Sequence, residues 1–117
     1  MKKLLFLLFL IPHLVMGENK IGKSFPLSAY IKYKNDESVL QEIGTIGYTA
    51  SVANAVLMLR DKKMIYCQPL DITLNRYNYE RILEAYLAKT PDFVAKASTI
   101  PLNLALIYAL EDKFPCN

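Results

Sequence analysis

The chain carries two cysteines, Cys67 and Cys116, and they enclose most of its second half. A bond between them would make residues 67–116 one closed unit, so the first question is whether the chain reaches a compartment where thiols oxidise. The N-terminus bears on that. Lys2 and Lys3 precede an apolar run from Leu4 to Met16, interrupted only by Pro12 and His13, and the small residue Gly17 follows. A basic start, an apolar centre and a small residue at the end predict a secretory signal over residues 1–17, cut after Gly17. The run is too short to cross a bilayer, which takes about 20 apolar residues. Glu18, not a cysteine, stands directly after the cut, so no lipid anchor and no stable membrane attachment are expected. An exported chain with two cysteines is expected to pair them. Closing a loop of this length stabilises a fold by about 4 kcal/mol in the chain-entropy model.

Removing the signal changes what the composition implies. The whole chain has a formal charge of +3. The signal holds Lys2 and Lys3 and no acid, so the remainder is nearly neutral, at about +1. Nucleic-acid binding rests on neutralising many phosphates, and a near-neutral chain argues against it. The remaining length suits a single domain that gains from a staple.

His13, the only histidine, lies inside the signal. The exported chain then lacks any Ser-His or Cys-His nucleophile pair and any histidine-containing zinc site. No phosphate loop, dinucleotide fingerprint, zinc-protease motif or CxxC pair is present. Glu80 and Glu84 stand one helical turn apart, but Arg76 and Arg81 beside them point to a solvated charged face rather than a catalytic pair. The chain is expected to be no enzyme and to use no cofactor or metal. Binding by surface shape is what remains.

Along the chain, residues 18–35 mix Ile21, Phe25, Leu27, Tyr30, Ile31 and Tyr33 with Lys20, Lys23, Lys32 and Lys34, and Pro26 breaks any early helix. The alternation over residues 30–34 fits a short strand, an extended arm or the lead-in to a helix, and the stretch as a whole is expected to form a solvated arm that packs a few aromatics on the body. Asn35-Asp36 then offers a helix cap, and Val39, Ile43, Ile46, Ala50, Ala53 and Leu57 recur at helical spacing, predicting an amphipathic helix to about Arg60–Lys63. Gly44, Gly47, Ala50, Ser51 and Ala53 make its middle unusually small. An interior glycine costs about 1 kcal/mol relative to alanine, so close approach of a second helix is expected there. Asn54, among these small residues, is expected to be a hydrogen-bonded helix-contact residue.

Met64-Ile65-Tyr66 leads to Cys67 at the edge of the core, and Pro69 forces an extended exit. Thr73 is the expected N-cap of a second helix over about Leu74–Lys89, with Tyr79, Ile82, Leu83 and Tyr86 on one face. Arg76 stands where a capping box would want Glu or Gln. Thr90-Pro91 ends that helix. Residues 92–99 form a connector with room for a helical turn, Phe93 and Val94 pointing inward. A third helix, about Pro101–Asp112, is apolar nearly all round, which demands either a central position or a subunit interface. The fold class is therefore all-α: a compact bundle of three main helices plus minor elements, stapled by one disulfide. Residues 1–17 are signal, 18–35 arm and 36–117 the helical domain.

The ordered set Gly44-x-x-Gly47-Tyr48, Val52, Tyr66-Cys67-x-Pro69, Thr73, Ile82-Leu83-x-x-Tyr86-Leu87, Pro91 and Phe114-Pro115-Cys116 resembles the Rap/Tai family of type VI secretion amidase immunity proteins. The resemblance covers roughly residues 38–116. It departs at Arg76, where relatives carry Gln or Glu, and at residues 39–43, where many relatives carry a further cysteine. It implies a helical periplasmic protein, usually a homodimer, that binds a secreted peptidoglycan amidase with a Cys/His active site and blocks its substrate cleft. It also matches Cys67 and Cys116 to the family's disulfide and Thr73 to its helix cap. Motif residues serve the fold, so toxin contact is expected on protruding loops: the turn Asp61, Lys62, Lys63, and the connector residues Lys89, Asp92, Phe93 and Lys96. The alternative is a small disulfide-bearing periplasmic stress chaperone that exposes apolar surface when a dimer opens. Without a histidine to titrate near neutrality, its acid switch would have to use carboxylates.

Overall fold

A computed structural model describes residues 25–117. The predicted signal and the start of the expected arm lie outside the described residues. Among the described residues there are five α-helices and a 3₁₀ turn: α1 (Leu27–Tyr33), α2 (Glu37–Asp61), α3 (Arg76–Ala88), α4 (Pro91–Val94), the 3₁₀ turn (Ala97–Thr99) and α5 (Leu102–Lys113). The expected all-α bundle with three main helices is what the chain forms, and Cys67 is bonded to Cys116 with their Cα atoms 5.0 Å apart.

Residues 25–35 are not a solvated arm. Pro26 stands at the N-cap of α1, where its fixed φ and missing N–H cost nothing, so it starts a helix instead of breaking one. Leu27 and Tyr30 of α1 are completely buried. Full burial of one such side chain stabilises the fold by about 1.5–3 kcal/mol, which is what turns this stretch into core. Two backbone bonds fix its entry: the Leu27 N–H donates to the Ile100 carbonyl, and the Leu102 N–H donates to the Phe25 carbonyl, each at 2.8 Å. Tyr30 then donates its hydroxyl to Glu84, whose other oxygen pairs with Lys34 at 3.4 Å. Glu84 is thus a tether for α1 and not simply part of a solvated face.

Asp36 caps α2 by accepting from the Ser38 N–H at 3.0 Å. On the helix, Val39, Ile43, Gly47, Ala50 and Asn54 are buried. The small residues do admit a second helix. A methyl group added at Gly47 would sit only 2.4 Å from the Tyr79 ring of α3, and one added at Gly44 would sit 3.0 Å from the Arg76 Cβ. Arg76 also pairs with Glu37 at 2.7 Å, across the same contact.

The second main helix starts two residues later than expected, and Thr73 does not cap it. Asn75 does: its side chain accepts from the Asn78 N–H at 3.0 Å, while the Asn78 side chain accepts from the Asn75 N–H at 2.9 Å. A carboxamide at the third helical position serves as well as Gln or Glu, so Arg76 at the first position breaks no capping box. Pro101 likewise caps α5 from outside. Leu102, Ala105, Leu106, Ala109 and Leu110 of α5 are buried against α3 and the other elements. Of the two positions its apolarity allowed, α5 takes the central one, leaving Leu104 and Tyr108 partly in water.

Candidate functional site

The surface divides into two unequal parts around the staple. Beyond Asn54, α2 leaves the body: Val52, Val56, Met58 and Leu59 are exposed, as are Ala53 and Ala55, so Ala53 does not join the buried face and Leu57 is only half-buried. What secures this distal half is a single side chain. Asn54 is buried; its amide donates to the Tyr66 carbonyl at 2.7 Å, and its oxygen accepts from the Ile65 N–H at 2.6 Å and the Tyr66 N–H at 3.3 Å. One carboxamide therefore satisfies three backbone groups and fixes the segment that delivers Cys67. The expected contact role of Asn54 holds, with a loop and not a helix as its partner.

Cys67 is held twice, by the bond to Cys116 and by its own N–H donating to the Phe114 carbonyl at 2.7 Å. From this base the chain loops out over residues 68–74. The Ile72 N–H returns to the Pro69 carbonyl at 3.2 Å, and the Gln68 amide donates to the Ile72 carbonyl at 2.8 Å. Leu70 stands at the tip with 104 % of its reference surface exposed. Leu70 is thus an apolar side chain in full contact with water, on a loop closed by its own hydrogen bonds. Between this loop and α2 lies a recess of about 180 Å³ lined by Ser51, Asn54, Ala55, Met64, Tyr66 and Leu70, among others. On the loop's other side a groove of about 640 Å³ runs between α3 and α5, with Ile82, Ala85 and Ala109 along it and Arg81, Lys113 and the Lys89–Asp112 ion pair also lining it. Ile72 lines both, so the loop is the wall between them.

The expected contact residues fall on separate elements. Asp61 ends α2; Lys62 adopts a left-handed conformation (φ 59°), its N–H donating to the Met58 carbonyl, and Lys63 follows in water. Lys89 closes α3 and pairs with Asp112 of α5 at 2.6 Å. Asp92 and Lys96 are exposed, whereas Phe93 is half-buried between Tyr86 and Tyr108, edge to face, with ring centroids 5.4 and 5.8 Å away. Phe93 accordingly anchors α4 to the body. Sequence reasoning passed over residues 68–72. A proline and an aspartate flanking a leucine, straight after a cysteine, was the available signal of a turn with an apolar tip.

Two tyrosines show how dry the interior is. Burial carries the Tyr30 hydroxyl far above the ordinary phenol range, and the neighbouring Glu84 adds to the shift. Tyr66 is pushed up to about 12, again chiefly by burial, with Tyr79 contributing. Among the described residues no group of three or more His, Cys, Asp or Glu side chains is placed to hold a metal ion. Chemically, the arrangement offers a hydrogen-bonded loop with an apolar tip, an apolar helix face and a groove of mixed charge, surfaces suited to binding. Compared with family models, with curated proteins and with solved structures, the chain matches none of them.

Proposed function

We propose that this chain is a periplasmic immunity protein that binds a type VI secreted peptidoglycan amidase and occupies the cleft holding its catalytic Cys and His. The observation that best supports this is the stapled loop with Leu70 at its tip. Enzyme clefts are concave and largely apolar, and a protruding leucine complements such a shape. A loop already fixed by Gln68, Ile72 and the disulfide loses little freedom on entering a cleft, which leaves more of the contact energy for affinity. Asp61, Lys62 and Lys63, at the end of α2, then serve as polar contacts at the edge of the interface. The test is to mix the purified chain with the peptidoglycan hydrolase encoded in the adjacent reading frame. Stoichiometric inhibition is expected, with Leu70→Asp weakening it at least about 100-fold while the melting temperature stays unchanged. A wild-type chain that neither binds nor inhibits that hydrolase would end the proposal.

One observation favours the chaperone alternative, namely the exposed apolar face of α2. A chaperone suppresses aggregation of unrelated clients at low pH and has no single tight partner. Client protection that survives Leu70→Asp, without amidase inhibition, would select it.

A further inference from the structure

The groove between α3 and α5 lies across residues 68–74 from the recess beside Leu70. Its apolar lining is almost wholly aliphatic: Ile72, Leu74, Ile82, Ala85 and Ala109, with Phe114 as the one aromatic ring. At about 640 Å³ it falls within the range of about 300–1,000 Å³ that small-molecule sites occupy. Its long walls are helices, whose backbone N–H and C=O groups already bond within the helix. An extended peptide laid along it would take its own amides out of water with nothing to pair them, and each such group is costly to strand. An alkyl chain carries no such groups.

The polar groups decide what head that chain must carry. Four charged side chains line the groove, and two of them cancel, because Lys89 pairs with Asp112 at 2.6 Å. Arg81 and Lys113 are left, and among the described residues neither has a carboxylate within ion-pairing distance. Asn78 lines the groove as well; its side-chain oxygen already accepts from the Asn75 N–H at 2.9 Å, so what it has left to offer is its donor end. A guanidinium, an ammonium and an amide NH2 all donate, and none of them can accept. The free polar side chains of this groove therefore call for an acceptor with negative charge, which makes the strongest hydrogen bonds to them. We infer that the groove binds a single alkyl chain ending in a carboxylate, the chain lying along Ile82, Ala85 and Ala109 and the carboxylate taking Arg81 and Lys113 as its partners. The inference goes beyond the inhibitor reading and does not depend on it, because it uses neither Leu70 nor residues 61–63 and is tested without any toxin.

The experiment is isothermal titration calorimetry on the frame expressed in full from Met1 and purified as the cell processes it, the form being defined by intact mass. The probe is dodecanoate, kept below the concentration at which it forms micelles. Saturable one-to-one binding is expected. Each methylene added from octanoate to dodecanoate is expected to tighten it about twofold, the effect of half-burying a CH2 group in a groove open on one side. Dodecyltrimethylammonium, which has the same chain and a cationic head, is expected to bind at least about tenfold more weakly, and Arg81→Gln combined with Lys113→Gln is expected to weaken dodecanoate about tenfold. Ala85→Phe, at an exposed position, fills the groove and is expected to abolish binding with the helical circular-dichroism signal retained. Several results would overturn the inference. These are no saturable binding of dodecanoate at about 1 mM, a cationic analogue that binds as well, binding unchanged by Ala85→Phe or by the paired glutamines, a chain that takes up anionic vesicles but not monomeric dodecanoate, or a self-associated chain whose second copy shields Arg81 from labelling.

Discussion

Gly47→Ala tests the packing of α2 on α3 most directly, with Gly44→Ala as its control. In an open helix either change would stabilise by about 1 kcal/mol, because alanine has less backbone freedom to lose. At Gly47 the new methyl would lie 2.4 Å from Cδ2 and Cε2 of Tyr79 and 2.5 Å from its Cζ. Three ring atoms at that range mean that no small rotation clears the clash. Tyr79 is itself buried, so the two helices must separate. Overpacking costs about 1–3 kcal/mol, and a clash with three ring atoms belongs in the upper half of that range, about 2–3, so the net loss is on the order of 1–2 kcal/mol after the gain in helix propensity. For a domain this size that lowers the melting temperature by roughly 5–10 °C. At Gly44 the single tight neighbour is the Arg76 Cβ at 3.0 Å, at the first residue of α3, which has room to give. Clash and propensity there nearly cancel, and stability stays within about 0.5 kcal/mol of wild type. Thermal and urea unfolding of both variants is the assay. Tyr79→Leu should abolish most of the Gly47→Ala penalty in a double-mutant cycle, since the ring is its cause. A Gly47→Ala protein as stable as wild type, or less affected than Gly44→Ala, would refute the account of why these glycines are there.

Reduction of Cys67–Cys116, which lie 49 residues apart, should lower stability by about 4 kcal/mol through the unfolded chain, read as a shifted urea midpoint with and without reductant. Asn54→Ala leaves the Tyr66 carbonyl and the Ile65 and Tyr66 N–H groups without their partner and should cost about 2–4 kcal/mol, with amide exchange rising first at residues 64–67. Tyr66 has its folded-state value raised to about 12 against an ordinary 10.0, so the stability it contributes is fully present below pH 10 and is lost as pH rises from 10 to 12. Tyr66→Phe should flatten that part of the stability–pH curve, and because the Tyr66 hydroxyl is buried with no hydrogen-bond partner, the change should cost little at neutral pH.

The elements that sequence reasoning placed well share one property, namely that their determinants are local and repeated. The 3.6-residue recurrence of Val39, Ile43 and Ala50 and the glycines against α3 could be read without knowing the partner helix. Where it misplaced something, the deciding contact was distant or chemically ambiguous. Residues 27–33 looked like an arm because Pro26 precedes them and lysines stand on both sides of and among their aromatics. What buries Leu27 and Tyr30 lies in α5, the turn before it and Glu84, more than fifty residues away. Thr73 and Asn75 both suit an N-cap, and only the reciprocal bond with Asn78 decides between them. The apolar spacing of α2 also continued past the point where the body ends. Periodicity reports that a face is apolar and is silent on whether anything covers it, so Ala53 and Leu57 read as core.

The staple belongs to this last problem. The body from α1 to α5 buries its own core, which the segment after α2 enters through Tyr66, yet the distal half of α2 and residues 68–72 add no side chain to that core. Asn54 joins these two outlying pieces to each other, while the Cys67 N–H bond to the Phe114 carbonyl and the disulfide join them to the end of α5. A loop with an exposed leucine and a helix end with an exposed apolar face are not held by burial. They have to be fixed by directional bonds at their base, and a covalent one adds stability without covering apolar area. That is why the cysteines lie at the edge of the core, and why the surfaces suited to binding are the ones that the Cys67–Cys116 bond supports.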